Sequence, residues 1–249
     1  MFRTLFTGGA TAALVAAAAL TPTAGIAAPH PAPRPGPEGN VTIDLASVNG
    51  SGCRPGSTSV DVAPDNSAFT VTYSEYLAQV GKDAKPTDFR KNCQIGLRVN
   101  VPQGYTYAIA KVDYRGFASL QDRAVGTQQA GYYFQGMSST ARRSHRFPGP
   151  LQGNWQVSDT TPVQSLAYAP CGEKRNFNIN TELRVDSGGS DTVNTNSFMA
   201  MDSTDGSFST VYHFAWKECA QTEPAQPVLP VEPFQPVEAE KPDPWGGGR

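Results

Sequence analysis

Apolar residues recur at every second position through most of this chain, and that period constrains the fold more than any other feature. The stretch "CQIGLRVNV" puts Cys93, Ile95, Leu97, Val99 and Val101 on one face and Gln94, Gly96, Arg98 and Asn100 on the other. "FNINTELRV" repeats the pattern, with Phe177, Ile179, Leu183 and Val185 against Asn178, Asn180, Glu182 and Arg184. "VTIDL" aligns Val41, Ile43 and Leu45; "AFTVTY" aligns Phe69, Val71 and Tyr73; "FSTVYHFAW" aligns Phe208, Tyr212, Phe214 and Trp216. An antiparallel strand with one buried and one wet face reads this way. In "YTYAIAKVDYRG" the apolar face switches between Ile109 and Val112, which predicts a bulge. Weaker patterns predict strands at 59–62, 132–135, 155–158, 163–168 and 197–201. Turn chemistry such as Pro64-Asp65-Asn66, Pro102-Gln103-Gly104 and Ser187-Gly188-Gly189 separates the runs. Short helices are expected only at 75–80 and 87–91. About ten strands with almost no helix imply an all-β fold, an antiparallel two-sheet β-sandwich of jelly-roll-like or immunoglobulin-like type.

One cysteine stands where no core can hold it. In "SVNGSGCRPGSTSV", Cys53 is surrounded by Gly, Ser, Asn and Pro. The chain has four cysteines, Cys53, Cys93, Cys171 and Cys219, with no C-x-x-C pair of the kind a zinc site uses. An even count behind an export signal implies two disulfides. Three pairings are open, and the sequential one, Cys53–Cys93 with Cys171–Cys219, is preferred. A covalent tie then secures a turn that burial cannot.

The export signal is read at the N-terminus. Arg3 precedes the apolar run "LVAAAAL", and Gly25-Ile26-Ala27 supplies small residues before the predicted cut after Ala27. Residues 1–27 are expected to be a signal peptide, 28–39 a Pro-rich leader, 40–220 a secreted domain and 221–249 an extended tail. In that tail Pro224, Pro227, Pro230, Pro233 and Pro236 recur at every third residue, the period of a polyproline II helix, and Trp245 lies near its end. It reads as a spacer. No later run is long and apolar enough to predict a transmembrane segment. The formal charge of −2 provides no field for nucleic acid. Charged residues make up 17%, so the surface must rely on Ser, Thr, Asn, Gln and Gly, as extracellular β-proteins do.

The ordered set "NGSGC", "FTVTYS", "RKNCQ", "DYRG", "YYFQG", "FNINTELRV", "MDSTDG" and "WKEC" resembles domain of unknown function 4360, a family of secreted actinobacterial and fungal proteins. The likeness spans about residues 40–219. It implies secretion and one domain holding all four cysteines. It carries no catalytic or binding residue with it.

Candidate chemistry is sparse. Of three histidines, His30 lies in the leader, His145 in the basic run "ARRSHRF" and His213 mid-strand, and no G-x-S-x-G elbow accompanies them. His213 reads as a packed strand residue. Glu75, Asp113 and Glu182 are the least turn-like acids and the candidates for a glycoside hydrolase pair. Asp202 and Asp205 in "MDSTDG" could serve calcium, but the twelve-position loop is not met and the segment reads first as a turn. No metal or cofactor is expected. Asn40 and Asn49 head glycosylation sequons. Arg142, Arg143, His145 and Arg146 form the densest basic cluster, expected in a loop ending at Pro148-Gly149-Pro150, and are the candidate binding loop for an anionic partner. The leading functional reading is a non-enzymatic secreted or cell-envelope protein that binds a cell-wall or extracellular glycan or plays a structural part. A secreted glycan hydrolase and a protease inhibitor presenting the Cys53 loop are the alternatives.

Overall fold

The computed structural model describes residues 36–138, 142–201 and 209–220. The signal segment, His30, Asp202, Asp205, Phe208 and the Pro-rich tail lie outside the described residues. In chain order the strands are β1 (Thr42–Asn49), β2 (Thr58–Val62), β3 (Ala68–Tyr73), β4 (Leu77–Gly81), β5 (Arg90–Asn100) and β6 (Tyr105–Leu120). They continue as β7 (Val125–Phe134), β8 (Arg143–Pro148), β9 (Leu151–Thr160), β10 (Phe177–Asp186), β11 (Asn196–Ala200) and β12 (Ser209–Glu218). All pair antiparallel, in two sheets.

The five-stranded sheet runs β1-β5-β10-β7-β8. The seven-stranded sheet is built around β6, sixteen residues long. Along one edge β6 pairs first with β12, which leads on to β3 and β2, and then with β11, which leads to β4. Its other edge holds β9. The predicted bulge is present: Ile109 faces Phe214 and Lys111 faces His213, so Ala110 is the extra residue. This is where the apolar face of β6 changes sides.

The alternating residues meet between the sheets. Phe69, Val71, Cys93, Ile95, Leu97, Val112, Tyr114, Phe177, Leu183 and Tyr212 are each no more than 2% exposed. Phe69 stacks on Tyr212 at 4.8 Å, and Phe177 meets Phe134 at 5.3 Å. Hydroxyls are buried with them. Tyr76 and Thr181 oxygens lie 3.1 Å apart, and the Tyr73 hydroxyl sits among those of Thr181, Thr210 and Tyr212. Desolvation raises the pKa of all four tyrosines Tyr73, Tyr76, Tyr114 and Tyr212, so each stays a neutral phenol.

Both disulfides form in the sequential pairing, Cys53–Cys93 and Cys171–Cys219. Cys53 is 1% exposed despite its polar surroundings, because it folds over β5 and Gly52 packs beneath the Tyr76 ring.

Several local expectations are corrected. The helix expected at 75–80 is largely β4, whose pairing with β11 overrides the helix propensity of Leu, Ala and Gln. Residues 87–91 are a turn leading into β5. Residues 163–168 are not a strand: Val163–Ser165 is one 3-10 turn, and the following coil lies along β6 with Ala169 N–H donating to Tyr107 O at 2.9 Å. Leu45 is exposed because a bulge in β1 between Leu45 and Ser47 resets its phase and turns Val48 inward. Packing reaches back into the leader, where the Asn66 amide donates to Pro37 O at 3.1 Å and Gly39 O at 2.8 Å and Pro37 is buried. The basic run at 142–146 is not a loop. Arg143, His145 and Arg146 belong to β8, which pairs with β7 from Ala130 to Val125.

Candidate functional site

Because β8 is a strand, its alternation divides the basic cluster. His145 and Phe147 turn toward the seven-stranded sheet, where His145 Nε2 lies 3.1 Å from Asp159 Oδ1 and Phe147 packs on Trp155 at 5.1 Å. These contacts close one side of the sandwich, edge to edge. Arg143 turns the same way. Arg142, Arg143 and Arg146 are all exposed, and Arg142 joins the outer face of the five-stranded sheet. The four residues thus do not share one face, and Arg143, His145 and Arg146 lie in a strand rather than a loop.

That outer face carries an ordered set of polar side chains. In one row across β5, β10, β7 and β8, register aligns Asn92, Glu182, Gln129 and Ser144. The next row holds Gln94, Asn180 and Gly131, and the one beyond it Gly96, Asn178 and Tyr133. Neighbouring strands lie about 4.8 Å apart, so the amides form a grid of that spacing. Arg90, Asn92, Gln94, Gln129, Arg142, Asn180 and Glu182 line a shallow groove at its centre. Arg90 holds Glu182 at 2.6 Å, and that bond raises the arginine's pKa further. Glu182 is therefore not the freely solvated side chain that strand alternation predicts; it is 13% exposed and fixed as an acceptor.

The opposite outer face carries one charged cluster that the sequence does not bring together. Asp113 of β6 accepts hydrogen bonds from His213 Nε2 of β12 at 2.7 Å, from Ser158 of β9, and from Lys111 Nζ at 2.8 Å. Burial would raise the Asp113 pKa, but its bonds to Lys111, Ser158 and His213 outweigh that and hold it below the usual carboxylate range. The order of contacts matters chemically. A nucleophilic serine needs histidine between it and the acid. Here aspartate stands in the middle and occupies both the serine and the histidine Nε2, so the group is an ion-pair network rather than a charge-transfer triad.

The three candidate hydrolase carboxylates do not converge. Asp113 and Glu182 lie on opposite outer faces, and Glu75 pairs with Arg54 at 2.7 Å beside the first disulfide. Two carboxylates cannot flank one glycosidic bond from opposite sides of a sandwich. The grid and the Asp113 cluster share one reason for escaping sequence reasoning. Each is assembled by register between strands far apart in the chain; His213 and Asp113 are 100 residues apart.

The model of the family described as "Domain of unknown function (DUF4360)" matches residues 39–219. The chain belongs to this family. An "Uncharacterized secreted protein" of Arthroderma benhamiae is 30% identical over 179 residues, covering 72% of each chain. Among solved structures, the enzymatically active domain of bacteriophage CBA120 tailspike protein 4 aligns over 72% of this chain and 19% of its own, at 7% identity and a TM-score of 0.23.

Proposed function

We propose that this is an exported, non-enzymatic binding protein whose ligand is a polyhydroxylated polymer, a cell-wall or extracellular-matrix glycan, laid on the amide face of the five-stranded sheet. The observation that carries this is the grid of Asn92, Gln94, Gln129, Asn178 and Asn180 on three adjacent strands. An amide carries two donors and an acceptor, which suits sugar hydroxyls that also donate and accept. Within the protein Asn92 Oδ1 already accepts from Ser51, and Gln129 and Asn178 each donate once, to Ser144 and to Asn176 O. Glu182 adds a fixed acceptor, Arg90 and Arg142 add donors, and Tyr133 offers an apolar ring beside Asn178. Export is supported by the two disulfides and by the secreted relative. Residues 1–27 then act as the cleaved signal and 221–249 as a spacer at the cell envelope.

The test is co-sedimentation of the exported protein with insoluble cell-wall and matrix polysaccharides. Replacing Gln94 and Asn180 together by alanine should weaken retention at least about tenfold, the loss expected from removing two or more hydrogen bonds. Melting temperature should hold, because both side chains point outward. Equal retention of the double variant would sink the proposal, as would failure of every glycan to retain the native protein.

A further inference from the structure

The interior side of β8 opens a second site, distinct from the amide face. A cleft of about 210 Å³ lies where the β7 end, β8 and the 161–167 coil meet. Its floor is aromatic and aliphatic. Phe177 is fully buried, Phe134 and Ile109 are 3% exposed, and the Tyr132 ring lies 5.7 Å from that of Phe177. Met137, 38% exposed, stands at its rim. The one full charge on the lining is Arg143, which is itself exposed and stands at the cleft's solvent side. Among the described residues no carboxylate lines the cleft and Arg143 makes no salt bridge. Thr161 and Ser165 supply hydroxyls on the far wall.

We infer that this cleft binds a small organic monoanion, a carboxylate carried on an apolar body of about ten heavy atoms at roughly 20 Å³ each. Three features select that chemistry together. The aromatic floor takes the apolar body. The guanidinium, which cannot deprotonate, matches a carboxylate with two parallel N–H donors. The fixed positive charge of Arg143 disfavours cations. The strand alternation that divides the basic run is what places Arg143 here, so the arginine serves this cleft while Arg142 serves the other face.

The experiment is calorimetric titration of the exported full-length protein with 2-naphthoate and with decanoate, each beside its uncharged amide. At least one carboxylate should bind with a Kd below about 1 mM, and its amide at least about tenfold more weakly. A response to naphthoate alone assigns a flat aromatic ligand; a response to decanoate alone assigns an acyl chain. Arg143→Gln should reduce the carboxylate to the level of its amide. Arg146→Gln, the outward neighbour on the same strand, should change nothing. Ala167→Phe, which fills the mouth, should abolish both. Thermal melts of each variant establish that it is folded. Absence of binding by either carboxylate overturns the assignment. So do equal binding of acid and amide, equal effects of the two arginine substitutions, and full competition by inorganic phosphate.

Discussion

Asp113 is an outward-facing residue that behaves as a buried one. Only 10% of its side chain is exposed, and three donors converge on it. Asp113→Asn keeps the shape and removes the charge that Lys111 pairs with and that Ser158 and His213 hydrogen-bond. The expected cost at pH 7 is about 2–3 kcal/mol, that of breaking hydrogen bonds to a largely desolvated charge. The pH dependence follows from the direction of its pKa shift. The folded pKa lies below the ordinary 3.8, so the folded state releases the proton more readily than the unfolded one. The stabilisation is fully present above 3.8 and fades as pH falls through the lowered folded value. Urea melts of the native protein and the Asp113→Asn variant should differ at pH 7 and begin to converge only below about pH 4, as pH falls toward the lowered folded pKa. A gap that persists unchanged into strong acid would show that the network acts through shape and not charge. Little of this network is legible in the sequence. Asp113 and His213 can each be singled out by residue type, yet their partnership depends on β6 and β12 pairing with a bulge between them.

At the scale of elements, β6 organises the seven-stranded sheet, and Gly116 is its tightest point. There β9 crosses on one side and β11 on the other, and a Cβ would lie 2.1 Å from Ala200 O and 2.4 Å from a Trp155 ring carbon. Neither the backbone nor the buried indole can retreat without opening a strand pair. Gly116→Ala should therefore destabilise by about 2–3 kcal/mol, as overpacking of a closed site does, although alanine is otherwise the better strand residue. Chemical denaturation measures it; a neutral result would mean that β11 is held more loosely than its pairing implies. Strands with two faces to distinguish, such as β5 and β10, announce themselves by period two. Strands β4 and β8 do not. Both lie at sheet margins, where one neighbour and partial burial leave the pattern weak. In β8 the outward places are filled by Arg and Ser, so an edge strand looks like a charge run. That resemblance is why the segment reads as an anion-binding loop, and why the division of its four side chains between two surfaces is hidden.

Across the whole molecule, the two disulfides join the sheets at opposite ends. Cys53 lies on the crossover from β1 in one sheet to β2 in the other and is tied to Cys93 near the start of β5. Cys171 lies on the crossover from β9 to β10 and is tied to Cys219 just after β12, beside the turn that follows β5, where Cys219 N–H donates to Gly104 O at 2.8 Å. The spans closed are 40 and 48 residues. In the chain-entropy account each contributes about 4 kcal/mol, so length does not separate them. Access does. Cys53 and Cys93 are 1% and 0% exposed, whereas Cys171 is exposed and Cys219 half-buried. Exchange requires a thiolate to reach a sulfur, so a mild reductant at neutral pH should open Cys171–Cys219 first and leave Cys53–Cys93 until the fold opens. Timed alkylation followed by peptide mass spectrometry should find label on Cys171 and Cys219 while Cys53 and Cys93 remain linked. That half-reduced species should melt lower but still cooperatively, because the aromatic core and the first tie persist. Simultaneous labelling of all four would mean that the sandwich opens globally before either bond is cut. Early labelling of Cys53 would mean that the loop of Gly, Ser and Pro around it leaves β5 without unfolding, and that the disulfide, rather than the packing of Gly52 under Tyr76, is all that holds it there.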